Sequence, residues 1–275
     1  LFHSGKSVLV VHDLAIYIHP EWFPEKQWFS TKVLVPRSLK KATKIVAISQ
    51  NTKKDLIEKF KVEEEKINVI YPGVVTKDTY MSEEIGKVRR KYDINGDYLF
   101  FVGTIEPRKN ILNLIKAFSN YLFENEESDL TLVLAGIKGW KFKPFFKELT
   151  DINKRLVGPK IKYIGKISNR ERNILLKDAQ AFMFPSHYEG FGFPIIEAMS
   201  LGTPVLTGNN SSLREISENC ACLVDTNDVN DIRRGIKKIV TDKLYRQKNI
   251  YCGKEKAKQY TWQKTVERFK IILKR

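Results

Sequence analysis

The chain has 275 residues, a net charge of +16, 42% hydrophobic and 29% charged residues. That composition excludes a disordered chain, and only 15 glycines and 10 prolines exclude a collagen-like or low-complexity one. No apolar run reaches the ~18–20 residues that span a bilayer, and the start LFHSGKSVLVVHD lacks a signal peptide's long apolar region, so an intracellular, cytoplasmic protein of one large or two modest domains is expected.

In chain order, residues 8–11, 44–48 and 67–70 read as short apolar strands. Tyr71-Pro72-Gly73 then ends a strand, and an irregular polar stretch is expected to about residue 97. A regular series follows, with strands at 98–102, 130–135, 161–164, 181–184, 204–206 and 221–224. Segments of period near 3.6 separate them; Ile111, Leu114, Ile115 and Phe118 are an i, i+3, i+4, i+7 set. Strands that alternate with helices predict βαβ units and a parallel sheet with helices on both faces. The near-continuous apolar runs fit burial on two sides. From residue 228 the chain reads as helical and basic, with 15 Lys/Arg against 3 Asp/Glu between residues 233 and 275. The helix expected over 262–273 places Val266, Phe269, Ile272 and Leu273 on one face. Basic charge suits solvated helices or contact with an anionic membrane surface. It suits nucleic acid less, because no recognisable nucleic-acid motif accompanies it. Cys220, Cys222 and Cys252 are expected as reduced, buried thiols, and no zinc-ligand spacing links them to the four histidines.

Two loops carry chemistry. In PSHYEGFGFPIIEAMSLGTP, a strand runs into Gly190-Phe191-Gly192, and a helix opens with Pro194 at its first position and stops at Gly202. Such a turn presents free N–H groups and a positive dipole end to an anion. Glu189 sits at its mouth and Glu197 about one turn inside the helix, positions suited to sugar or ribose hydroxyls. In YLFFVGTIEPRKN a strand ends at Gly103-Thr104, with Arg108 and Lys109 expected in the first turn of the next helix. Cations oppose the dipole there unless they serve a bound anion, and a diphosphate fits them. Both loops leave the carboxyl ends of expected parallel strands, the edge where ligands bind. There is no Asp-x-Asp pair, so no metal is expected: the cations and the helix end would hold the diphosphate.

EGFGFPIIE, with seven residues between its glutamates, followed by AMSLGTPV, resembles the signature of retaining glycosyltransferases of family 4. VGTIEPRKN resembles that family's phosphate-binding loop. VHDLA, KIVAISQNTKKDL and INVIYPGV resemble the last third of its N-terminal domain. The resemblance implies the GT-B fold, two Rossmann-like domains facing across a cleft. Residues 1–75 would be the end of the acceptor-side domain, 76–260 a complete donor-binding domain, and 261–275 a helix returning to the first. It implies that Arg108, Lys109, Gly103 and Thr104 hold the donor diphosphate and that Glu197 takes the ribose. Glu189 with Gly190, Phe191 and Gly192 would hold the transferred sugar and distal phosphate. Residues 163–167, Gly165, Lys166 and Ile167 among them, would wall the nucleobase. His12 and Glu189 would be the catalytic side chains. The implied activity is polysaccharide biosynthesis: transfer of a sugar from a nucleotide sugar to a glycan or lipid-linked acceptor, with retention, no metal and no other cofactor. TIEPRKN is most similar to loops of enzymes that use GDP-mannose, while UDP- and ADP-sugars stay open. The family's N-terminal domain begins well upstream of Leu1, so a donor-binding fragment with little or no transfer is the alternative. In that case Trp22, Phe23, Trp28 and Phe29 are expected to be more exposed than usual, or covered by another chain.

Overall fold

A computed structural model describes residues 5–24, 30–75, 80–156 and 158–274. Strands β1 (Val8–Val11), β2 (Lys44–Ala47) and β3 (Ile67–Val69) form a three-stranded sheet in that order. Strands β4 (Tyr98–Val102), β5 (Thr131–Ala135), β6 (Ile161–Gly165), β7 (Ala181–Phe184), β8 (Val205–Gly208) and β9 (Cys222–Val224) form a second, ordered β6-β5-β4-β7-β8-β9. Every strand pairing among the described residues is parallel. From β4 the chain steps outward to β6, then returns to β7 beside β4 and steps outward the other way. That reversal opens a crevice at the carboxyl ends of β4 and β7, the usual place for a ligand in such a sheet.

The helices follow from the apolar spacing. Around the larger sheet run α4 (Ser82–Lys91), α5 (Ile111–Glu124), α6 (Lys143–Arg155), α7 (Asn169–Asp178), α8 (Phe193–Leu201), α9 (Ser211–Ser217), α10 (Val229–Thr241) and α11 (Lys243–Ala257). α5 packs with α6 and α10, while α7 packs with α4 and α8, and α8 with α11. Between these layers Phe100, Phe101, Phe182 and Phe184 are fully buried. Truncating any of them to alanine would cost about 3–5 kcal/mol.

In the first unit α1 (Ala15–Ile18), α2 (Val35–Lys41) and α3 (Gln50–Phe60) surround a small core that includes Leu14, Leu39, Ile45 and Leu56. The C-terminal helix α12 (Trp262–Lys274) returns to that sheet, and its Phe269 and Ile272 pack on Val8, Val46 and Ile70. Three strands thus gain a second covered face from the far end of the chain.

Several expectations need correction. α4 lies in the stretch read as irregular. It buries Val88 and half-buries Ile85 among charged and polar residues, so its apolar face is only two residues wide and easily read as a polar stretch. On α12 the covered face is Thr265, Phe269 and Ile272, whereas Val266 and Leu273 are exposed, because the helix rests on one edge of its apolar arc. Cys220 and Cys252 are joined in a disulfide and only Cys222 is a free, buried thiol. α11 brings Cys252 back beside Cys220 across a sequence separation of 32, a pairing at odds with the reducing compartment that the cysteine count suggested. Trp22 and Phe23 are half-buried: Trp22 stacks on His19 at 3.9 Å and faces His187 at 5.6 Å, and Phe23 faces Trp140 at 5.8 Å. Trp28 and Phe29 lie outside the described residues. No helix among the described residues is long and apolar enough to cross a membrane.

Candidate functional site

The site is built on the two central strands. β4 runs into Gly103, whose N–H bonds Ala135 O at 3.0 Å, and Ile105 N–H bonds Ile137 O at 2.8 Å, which ties this loop to the end of β5. Arg108 and Lys109 occupy a separate 3-10 turn, Pro107–Lys109. Asn110 follows in the left-handed region at φ 56°, and α5 starts only at Ile111. The two cations therefore stand before the helix rather than in its first turn, as the sequence had suggested. Pro107 and Asn110 make the break, and the Asn110 side-chain amide donates to Pro185 O and Thr226 O.

From β7 the loop 185–192 crosses above that turn. Gly190 packs against the end of β1, where a Cβ would lie 1.8 Å from His12 O, so no larger residue fits there. Gly192, at φ 102°, caps α8, with Phe193 first in the helix and Pro194 second, one place later than expected.

Here the charged residues converge. Glu189 receives Lys109 Nζ on Oε1 and Arg108 Nη1 on Oε2, both at 2.6 Å. Arg108 also pairs with Glu106 at 2.8 Å. The four side chains are mostly buried, two of each sign. Burial acts to raise the Glu189 pKa, yet Lys109 and then Arg108 hold it below the usual carboxylate value. Glu106 goes the other way: burial lifts it despite Arg108 and Lys109. Burial opposes the charge of Arg108, but Glu189, Glu106 and Asp13 outweigh it and raise its pKa. His187, half-buried and 3.1 Å from Thr226 Oγ1, is held below its ordinary value by burial and then by His19.

Glu197 sits in the second turn of α8. Arg172 Nη2 of α7 donates to its Oε1 at 3.1 Å, while its Oε2 is buried with no hydrogen-bond partner among the described residues. Burial raises its pKa and Arg172 opposes this. The end of β6 completes the rim. Gly165 O accepts from Gly136 N at 2.8 Å, Tyr163 Oη donates to Gly136 O at 2.8 Å, Lys166 is exposed and Ile167 half-buried. Thr104 lies in contact range of Gly139. The His12 side chain is exposed beside Gly190. Glu189, Arg108 and Lys109 thus meet directly, and His12 joins them through its backbone; Glu197 pairs elsewhere.

Polar bonds dock the first unit onto the same loop. Tyr188 Oη donates to Asp55 Oδ2 at 2.5 Å, and Thr52 Oγ1 donates to Gly190 O at 3.3 Å. Glu215 of α9 accepts from the N–H groups of Gln50 and Asn51 at 2.9 and 3.1 Å, and from Tyr71 Oη at 2.6 Å. Arg172, Tyr188, Asp55 and Asp13 escaped the sequence reading. Arg172 and Asp55 look like solvated helix charges, while Tyr188 stands immediately before the glutamate motif and was readable.

Known families and proteins match this chain. A family model described as Glycosyl transferases group 1 matches residues 84–257, and one described as Glycosyltransferase Family 4 matches residues 2–78. The O-antigen chain mannosyltransferase B of Escherichia coli is 30% identical across 97% of this chain and 71% of its own length. A serotype-specific mannosyltransferase, WbdA, from the same species is 29% identical across 94% of this chain, which spans 32% of that relative. Among solved structures, Anabaena HepE in complex with UDP and glucose superposes with a TM-score of 0.80 at 21% identity, over 98% of this chain and 70% of that one. WaaG, a glycosyltransferase involved in lipopolysaccharide biosynthesis, superposes at 0.73 and 18% identity, over 94% of this chain and 72% of that one. These superpositions establish the shared GT-B fold.

Proposed function

The chain belongs to the glycosyl transferases group 1 family, and from that premise we propose that it serves to transfer mannose from GDP-mannose to a growing glycan or lipid-linked acceptor, with retention of anomeric configuration. The carrying observation is the convergence of Arg108, Lys109 and Glu189 at the crevice between β4 and β7. The names of the two mannosyltransferase relatives support the sugar. The nucleotide rests on the likeness of TIEPRKN to loops that take GDP-mannose.

In this reading the diphosphate lies against Arg108 and Lys109, which share their donors between it and Glu189. The two cations stabilise the charge that grows on the leaving phosphate. Glu189 and the backbone of Gly190–Gly192 hold the sugar, with His12 facing them from the first unit. Glu197 takes the ribose, and Gly165, Lys166 and Ile167 line the base. The bond from C1 to the phosphate oxygen breaks as the acceptor oxygen bonds C1 on the same face, and the acceptor proton passes to the leaving phosphate. Fixed cations do the work a divalent ion would do, so no metal enters. The basic helices α10 to α12 suit peripheral contact with an anionic membrane that carries the acceptor.

The test is incubation with GDP-mannose labelled in the sugar and a mannose-terminated glycan, with the product linkage read by NMR. An α-linked mannosyl product supports the reading, and labelled transfer only from a UDP-sugar would replace the donor assignment.

A further inference from the structure

We propose that Arg172 is a positioning residue that makes Glu197 a reader of ribose, so that preference for a ribonucleoside over a 2′-deoxyribonucleoside diphosphate depends on it. The inference rests on the nucleotide-sugar reading above.

The geometry is specific. The Arg172 guanidinium donates through Nη2 to Glu197 Oε1 at 3.1 Å, and through Nε and Nη2 to Asn173 Oδ1 at 3.2 and 3.1 Å. Those bonds fix its plane against the carboxylate. The Glu197 side chain is only 12% exposed, and Oε2 is buried with no partner among the described residues. A buried carboxylate oxygen left unbonded is costly, and its presence asks for a donor that arrives with a ligand. An ionised carboxylate only accepts, and it has lone pairs for both hydroxyls of a vicinal diol. A protonated one would turn an acceptor into a donor.

Arg172 therefore does two things. It occupies Oε1, which leaves the buried Oε2 as the acceptor with no partner among the described residues, and it supplies a countercharge that opposes protonation of the buried acid. Burial pushes the Glu197 pKa up and Arg172 opposes that push. The other charged groups near α8 are engaged elsewhere. Lys177 of α7 donates to Leu201 O at 3.0 Å at the far end of the helix. Lys254 of α11 lies against Gly202, at that same end. Glu189 is taken by Lys109 and Arg108.

The experiment measures the affinities of GDP and 2′-deoxy-GDP by calorimetry between pH 5 and 8 for the full chain and for R172A, R172K and E197Q. Wild type should prefer GDP by about tenfold or more, the discrimination expected when a charged acceptor loses a hydroxyl donor. R172A should bring that ratio close to one, and R172K should retain part of it. GDP affinity should fall on acidification, and in R172A the fall should begin at higher pH, because the carboxyl then protonates more readily. A merely structural role for Arg172 would weaken both nucleotides alike and leave the pH limb in place. Should R172A fail to fold by circular dichroism, R172M and R172K carry the same comparison. A wild-type ratio and pH limb in R172A overturn the inference. Equal affinity of wild type for the two nucleotides overturns it together with the ribose role of Glu197, yet leaves nucleotide binding standing. No GDP binding by wild type overturns the underlying reading as well.

Discussion

The phenol of Tyr188 donates a 2.5 Å hydrogen bond to the buried carboxylate of Asp55 and thereby joins the loop that carries Glu189 to helix α3 of the other sheet. Arg108 bonds the backbone oxygen of the same tyrosine at 3.2 Å, so the docking contact and the charged cluster share one residue. Asp55 also accepts from Asn51 Nδ2 at 2.8 Å. Y188F should therefore cost about 1–3 kcal/mol of stability, because it leaves a buried acceptor short of a partner. Donor affinity should weaken with it. The check is a double-mutant cycle with D55N by chemical denaturation, and strictly additive losses would show that the bond does not couple the two units.

Glu189 sits between the two cations a diphosphate would use. E189Q keeps the shape and removes the competing charge. Nucleoside diphosphate should bind at least as tightly as in wild type, while transfer collapses. Stability should fall by about 3–5 kcal/mol, since Lys109 loses its buried counterion and Arg108 keeps only Glu106. Calorimetry on the folded variant decides the point: a large loss of diphosphate affinity would mean that Glu189 itself organises the anion site.

Arg108 should discriminate the diphosphate from the nucleoside. R108A is expected to lose about 1.5–3 kcal/mol toward GDP, roughly 10–150-fold, and much less toward guanosine. EDTA should leave GDP affinity of wild type unchanged. Equal losses for both ligands, or a large drop on chelation, would remove the cation pair from its assigned role.

Much of the fold was legible because the strands are buried on both sides. Tyr98–Val102 and Ala181–Phe184 are continuous apolar runs, and the structure begins and ends them where the sequence does. α4 was not legible, since a helix whose core face is only Ile85 and Val88 shows too short a period to stand out from its charged residues. The glutamate-glycine loop announced itself through turn chemistry and helix stop signals. Its partners did not: Arg172 and Asp55 look like ordinary helix charges, and only tertiary packing brings them to Glu197 and Tyr188. The start of α5 was misplaced because Asn110 adopts a left-handed conformation that residue type alone does not require.

A pH effect on stability follows from Glu171, which joins α7 to α4. It bonds Lys91 Nζ at 2.5 Å and Tyr92 Oη at 3.0 Å, and its Oε2 accepts from Ser168 N–H at 2.8 Å. Lys91 first, with Ser168, holds its pKa at about 2 against the opposing push of burial. A carboxylate depressed on folding stabilises above its unfolded value near ~4.3, and that stability disappears as pH falls through about 2. E171Q should thus lose about 1 kcal/mol at pH 7, the size of a cap with a partly exposed ion pair, and match wild type near pH 2. Urea titrations at both pH values test this, and a constant difference would contradict the charge-based origin.

The most direct test of the donor site is calorimetric titration of GDP-mannose into the 275-residue chain, beside UDP-glucose and beside the R108A and E197Q variants. The expected result is saturable binding at one site per chain, tighter for GDP-mannose than for UDP-glucose, and weakened at least tenfold in both variants. Absence of heat with either nucleotide sugar, or binding that R108A and E197Q leave unchanged, would contradict a donor site between β4 and β7.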